Sequence, residues 1–317
     1  MAKVVEKIPK KAVILEPERV PISGVVWFVR RLTRNRLSLA GTVIILLFIL
    51  VAILAPVLAP PPEGWRDPYM IPHEGYAPDP LPPSRTHPFG TTEQQFDIYY
   101  GVIWGTRTAF KVGIVVVGVS LLIGIVLGAL AGYYGGRLDE ALMRLVDIFY
   151  AFPGLVLAVV VVAILGQGLE KVMIALILVW WPTYARLLRG EVLSVKERDF
   201  VEAARALGES DWRIILRHIL PNTIYPVLVV ASLDMGAVVL VAAALSFLGL
   251  GAPTGYADWG QLASFSRQYI IGVAGDPFQY WYTLFFPGLA IFLFVLGWNL
   301  LGDAFRDILD PRLRGTM

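Results

Sequence analysis

Cysteine is absent from all 317 residues, which removes disulfides, thiolate metal sites and thiol nucleophiles together. Histidine is nearly absent: His73, His87 and His218 stand far apart, without the H-E-x-x-H spacing of a helical zinc site. No glycine is followed by lysine, so no G-x-x-x-x-G-K-[ST] loop exists to cradle phosphates. If nucleotide energy is used, another chain must release it. A G-x-S-x-G elbow for a serine nucleophile is missing too, and no paired carboxylates stand in its place. Charge is scarce, at 16% of residues against roughly a quarter in soluble domains. A net charge of +2, with no basic run among aromatics, gives nucleic acid no footing. The sequence therefore offers no catalytic constellation for a self-contained enzyme.

What remains is oil. Apolar side chains make up 56% of the chain and the mean hydropathy is +0.65. A bilayer core takes about 20 apolar residues of helix, and six stretches qualify: 37–59, 112–134, 148–166, 172–184, 223–250 and 282–301. The fourth is short, and Trp180 and Trp181 are expected to anchor it at an interface. A charged arm precedes the first stretch and is too long to lead a cleavable signal.

Lys and Arg sort by side. With the N-terminus inside, 21 fall in inner segments and 5 in outer ones, which places both termini in the cytoplasm. Residues 25–36 read VVWFVRRLTRNR, an apolar cluster followed by four arginines. That pattern suits an amphipathic helix on the inner leaflet, or a basic stop beside the first span. The outer segment 60–107 is proline-rich and expected to be extended. Gly124, Gly128 and Gly132 recur at four-residue spacing, a smooth face for a close helix neighbour. Asp234 is the only charge deep in a span, expected to be hydrogen-bonded inside the bundle or turned toward a wet path.

Residues 202–221, EAARALGESDWRIILRHILP, are the exception: polar helix formers between two apolar spans. The sequence predicts a helix from Glu202 to Leu207, a break at Gly208, and a second helix capped by Ser210-Asp211. Pro221, lacking an amide hydrogen, is expected to stop that second helix. Trp212, Ile215, Leu216 and Ile219 are expected to share one face. Such a stripe belongs on a membrane surface or in a partner's groove.

The spacing Glu202-Ala203-Ala204, then Gly208, then Leu220-Pro221 resembles the EAA loop of bacterial ABC-importer permeases. HILPN is similar to the dipeptide/oligopeptide/nickel subfamily, although His218 stands where the general pattern prefers isoleucine. Four further blocks resemble its second, long-outer-loop permease: HPFGTTEQQFDIYYGVIWGTR, AGYYGGRLDEALMRLVDIFYAFPGL, LSFLGLG and NLLGDAFRDILDPRLR.

The resemblance implies an all-α membrane protein: six transmembrane helices after an interfacial amphipathic helix, with a cytoplasmic coupling-helix loop. The expected layout is an N-terminal arm (1–36), a first span (37–59), an outer loop (60–107), a five-helix permease core (108–301) containing the coupling loop (185–222), and a cytoplasmic tail (302–317). Implied partners are a second, related permease, one or two ATP-binding subunits, an extracytoplasmic solute-binding protein and the lipid bilayer. The chain itself would hold no cofactor, because ATP is bound by the partner. Glu202, Ala203, Ala204, Gly208, Trp212, Leu220 and Pro221 would couple to the ATPase.

Peptides are the implied solute. Thr92, Gln95, Phe96 and Ala242 depart from the family pattern, however, and relatives also carry oligosaccharides or nickel. Tyr99, Tyr100, Trp104, Trp180, Trp181, Tyr280 and Trp281 would serve either as sugar-stacking platforms or as interfacial belts. An ion-coupled secondary transporter is the remaining alternative, disfavoured by the shortage of intramembrane acids.

Overall fold

The computed structural model describes residues 35–309 except 74, 76, 78, 270–275 and 277. Helix α1 (Arg36–Leu58) starts where the Asn35 side chain accepts the Leu37 amide at 3.0 Å. Helix α2 (Ile98–Tyr134) starts the same way, with Asp97 accepting the Tyr100 amide at 2.9 Å. Then follow α3 (Gly136–Tyr150), α4 (Gly154–Leu165), α5 (Leu169–Val195) and α6 (Asp199–Ala206). The chain ends with α7 (Asp211–Phe247), α8 (Trp259–Ser264) and α9 (Trp281–Leu309). Among the described residues there is no strand, only three isolated bridges.

Five helices are long and apolar enough to cross a bilayer. The α3–α4 pair makes a sixth if its arms count as one span, for they meet at 87°. Pro153 explains the corner, since a proline ring pushes the residue before it out of the helical region. Several boundaries move relative to the sequence reading. The fourth span, expected to be short at 172–184, is the 27-residue α5, and Trp181, expected at an interface, is buried. The third, expected at 148–166, straddles the corner between α3 and α4. α2 begins at Ile98, well before the apolar run, because the Asp97 cap starts a helix that polar residues do not interrupt. α9 runs past Gly302 to Leu309. Gly302 does not end that helix; it lets α9 lie against Leu233 of α7, where a Cβ would come within 2.5 Å. The expected interfacial helix falls almost wholly outside the described residues, as does the tail beyond 309.

The glycine stripe of α2 packs as its spacing predicts. A Cβ on Gly128 would meet the Ala185 carbonyl oxygen of α5 at 2.5 Å, and one on Gly132 would meet Val192 at 2.8 Å. One on Gly124 would collide with Tyr184. The two helices therefore touch backbone to backbone, flanked by buried Val116, Leu188 and Val192.

The segment between α1 and α2 is irregular but not loose. Its carbonyls, which have no sheet or helix to satisfy them, are taken by aromatic side chains. Tyr100 Oη donates to Pro68 O at 2.7 Å, Trp104 Nε1 to Ala59 O at 2.9 Å and Tyr282 Oη to Pro80 O at 2.9 Å. Tyr69 and Ile71 bind the 250s loop through their backbone. Short α8 seals the same end: Asp258 caps it by accepting the Gln261 amide at 2.8 Å, and Thr108 Oγ1 donates to Ala257 O at 2.7 Å.

Candidate functional site

The polar stretch folds into a compact turn at one end of the bundle. α6 ends at Ala206 with Leu207 as its cap, and Gly208 follows with φ +78°. The Gly208 amide donates to Arg205 O at 3.0 Å and the Glu209 amide to Ala204 O at 3.2 Å. These two reverse bonds form a Schellman closure, which needs a left-handed residue at the glycine position. The break at Gly208 is thus a defined corner and not a flexible joint.

Both sides of the corner are fastened. Glu209 Oε2 lies 2.9 Å from His218 Nε2, and Tyr133 at the end of α2 donates its hydroxyl to Asp211 Oδ1 at 2.7 Å. Arg205 sits over the Tyr133 ring at 6.0 Å. Ser210 holds the cap position without a side-chain cap bond, so Asp211 is spent on Tyr133 instead. Val201 and Ala204 are buried and pin α6 to the main core.

The second helix departs from the sequence reading in two ways. It is not stopped by Pro221: α7 runs unbroken from Asp211 to Phe247. Residues Ile214–Ile219 form a π-helical segment, in which the Leu220 amide reaches back to Ile215 O. The wider turn lets the chain pass the missing proline hydrogen without a break. The same widening splits the expected stripe. Ile214, Ile215 and Ile219 turn into the core, while Trp212 and Leu216 stay 59% and 61% exposed. Leu207 at the corner is 84% exposed and joins them. Sequence reasoning missed Leu207, because helix periodicity says nothing about a residue in a turn, and missed Tyr133, which is distant in sequence.

Glu202 and Ala203 are exposed on α6, Gly208 lies at the corner and Trp212 is exposed beside it. Leu220 is half-buried and Pro221 exposed along α7. The set therefore forms a projecting handle with three large apolar side chains in the open. Next to it, α3 is clamped to α5: Arg189 holds Asp139 through both nitrogens at 2.5 and 2.6 Å, and Arg186 holds Asp147 at 2.5 Å.

Asp234 lies apart from this handle, half-buried on α7. The Tyr184 hydroxyl of α5 donates to its Oδ2 at 2.7 Å, and Trp180 lies close by. Four of the seven aromatics weighed for stacking or belts, Tyr100, Trp104, Trp181 and Tyr280, are buried among other side chains and do neither. Among the described residues, no group of three His, Asp or Glu could hold a metal.

Residues 124–315 match the family described as binding-protein-dependent transport system inner membrane component, and residues 26–83 match the N-terminal TM domain of oligopeptide transport permease C. The dipeptide transport system permease protein DppC of Alkalihalophilus pseudofirmus is 41% identical over 285 residues, 90% of this chain and 89% of that protein. The glutathione transport system permease protein GsiD of Pectobacterium atrosepticum is 40% identical over 288 residues, 90% of this chain and 91% of that one. Among solved structures, an inward-facing conformation of the MetNI methionine ABC transporter aligns with a TM-score of 0.52 at 21% identity. It covers 67% of this chain and 97% of that chain, a likeness of fold.

Proposed function

The chain belongs to the inner membrane components of binding-protein-dependent transport systems, and from that premise we propose that it is the permease half of a peptide importer driven by a separate ATPase. Several relatives are named for dipeptide, D,D-dipeptide or glutathione transport, and their similarity spans nearly the whole chain, which supports peptides as the cargo. A second, related permease completes the path, one or two ATP-binding subunits attach from the cytoplasm, and a solute-binding protein delivers cargo to the outer loops. Both termini face the cytoplasm, as the Lys and Arg distribution favours.

The observation that carries the coupling role is the handle itself. Leu207, Trp212 and Leu216 are held in the open by a closed corner and two side-chain clasps. A water-facing surface gains nothing from three bare apolar side chains, so a groove on the ATPase is their natural destination. Glu202 and Ala203 present α6 to the same partner, and Ala204, expected at that contact, is instead buried behind them and holds α6 on the core. Leu220 and Pro221 carry the thrust into α7.

The absence of native cysteine makes the test direct. Leu207→Cys in the assembled complex should form a specific crosslink with a cysteine in the ATPase groove, and ATP should change its yield. A Leu207→Cys permease that transports normally but crosslinks only to lipid-phase probes would refute the docking. Cargo is tested separately by binding of dipeptides, oligosaccharides and Ni²⁺ to the purified system, where saturable binding of sugars alone would overturn the peptide assignment.

A further inference from the structure

Asp234 sits near the middle of the apolar part of α7. Among the described residues no lysine or arginine pairs with it. The Tyr184 hydroxyl orients the carboxyl group but leaves acceptor capacity unused. It is not sealed in the core: Val230, Asp234, Ala237 and Val241 follow one face of α7, and all four are half-buried. Trp180 of α5 lies beside Asp234 and is half-buried as well. The strip is otherwise apolar, so a lone carboxylate there has little but a passing cation to complement it.

We infer that this face of α5 and α7 lines the translocation path and that the Asp234 carboxylate receives the terminal ammonium of a peptide in transit. The inference rests on the peptide-importer reading above. The charge complementarity is specific: an ammonium offers three donors to an acceptor already fixed in direction by the Tyr184 hydroxyl. The apolar remainder of the strip gives uncharged side chains a surface to slide along without being held. A single anionic contact favours entry and orientation, amine end first or last, without making a site too deep to leave.

The test uses the complete importer in proteoliposomes, with trialanine and N-acetyl-trialanine as cargo, each loaded on the binding protein to equal occupancy. Asp234→Asn keeps an acceptor for Tyr184 and so preserves the local hydrogen bond. Trialanine uptake should fall about tenfold in Asp234→Asn, the worth of a charge-assisted hydrogen bond, and recover in part in Asp234→Glu. Uptake of N-acetyl-trialanine should be lower than that of trialanine in the wild type and unchanged by the substitution. Unchanged trialanine uptake would overturn the inference alone, as would equal losses for both peptides or failure of the variant to assemble with the second permease, which would assign Asp234 to packing. Wild-type vesicles that move neither peptide would overturn the peptide reading and this inference with it.

Discussion

The guanidinium of Arg107 donates Nε–H to the carbonyl oxygen of Ala52, the one acceptor in α1 that Pro56 leaves without an intrahelical partner. An amide at position 56 would bond to Ala52; proline has none, and a cation from α2 takes its place. The Arg107 fork also reaches Ile53 O at 3.4 Å and lies 4.9 Å over the Trp104 ring. Arg107→Leu should therefore destabilise the protein by about 1–3 kcal/mol, because a carbonyl is left unsatisfied. Pro56→Ala should rescue much of that loss by restoring the amide. Thermal unfolding of the two single variants and the double variant in detergent measures the coupling, and strictly additive losses would show that the carbonyl is not the shared element.

The corner at Gly208 supplies a graded test of coupling. Open space surrounds the position, and only the backbone angle, φ +78°, resists a side chain. Asparagine tolerates that region better than a β-branched residue, for which it costs about 1–2 kcal/mol. Gly208→Asn should keep most transport, while Gly208→Val should insert and assemble but hydrolyse ATP without proportionate uptake. The ratio of cargo moved to ATP spent, measured in proteoliposomes, ranks the two. Equal ratios would mean that the corner's shape does not matter.

Between α2 and α5 the prediction is about volume. Gly128→Val places atoms where the Ala185 carbonyl already lies, so the helices must part at a cost of about 1–3 kcal/mol. Gly118 on the same helix has nothing within 4 Å, and Gly118→Ala should be neutral or slightly stabilising. A fluorescence melting comparison separates them, with similar melting temperatures counting against close packing.

Burial pushes the Asp258 carboxyl above the ordinary carboxylate range. The folded protein then binds that proton more tightly than the unfolded chain. The stabilising contribution is full below about pH 4, where both forms are protonated, and is lost as pH rises through the raised value. Asp258→Asn keeps an oxygen to accept the Gln261 amide but carries no charge. Its melting temperature should gain on the wild type as pH climbs from about 5 to about 8. Parallel pH profiles would contradict this.

Much of the architecture was legible in the residues. Apolar runs with at most one charge marked the spans, and Gly124, Gly128 and Gly132 marked a face for a close helix neighbour, although not that the neighbour is α5. Gly208 announced its corner. Pro221 misled, because local rules describe an α-helix, and the chain passes it through a π segment that those rules do not contain. The fate of Trp212 and Ile215 turned on the same segment: one extra residue per turn sends one outward and the other inward. Arg107 and Thr108 hid the start of α2, since hydropathy discounts polar residues whose side chains reach backbone carbonyls.

Helix α2 has 37 residues, so it is about 55 Å long at 1.5 Å per residue, nearly twice the roughly 30 Å hydrocarbon thickness. Its first turn is tied to the segment that precedes it through Tyr100, and its last holds Asp211 through Tyr133. One uninterrupted beam thus joins the two structured ends of the bundle. A tilt imposed at either end is felt at the other, with no messenger but the stiffness of a peptide backbone.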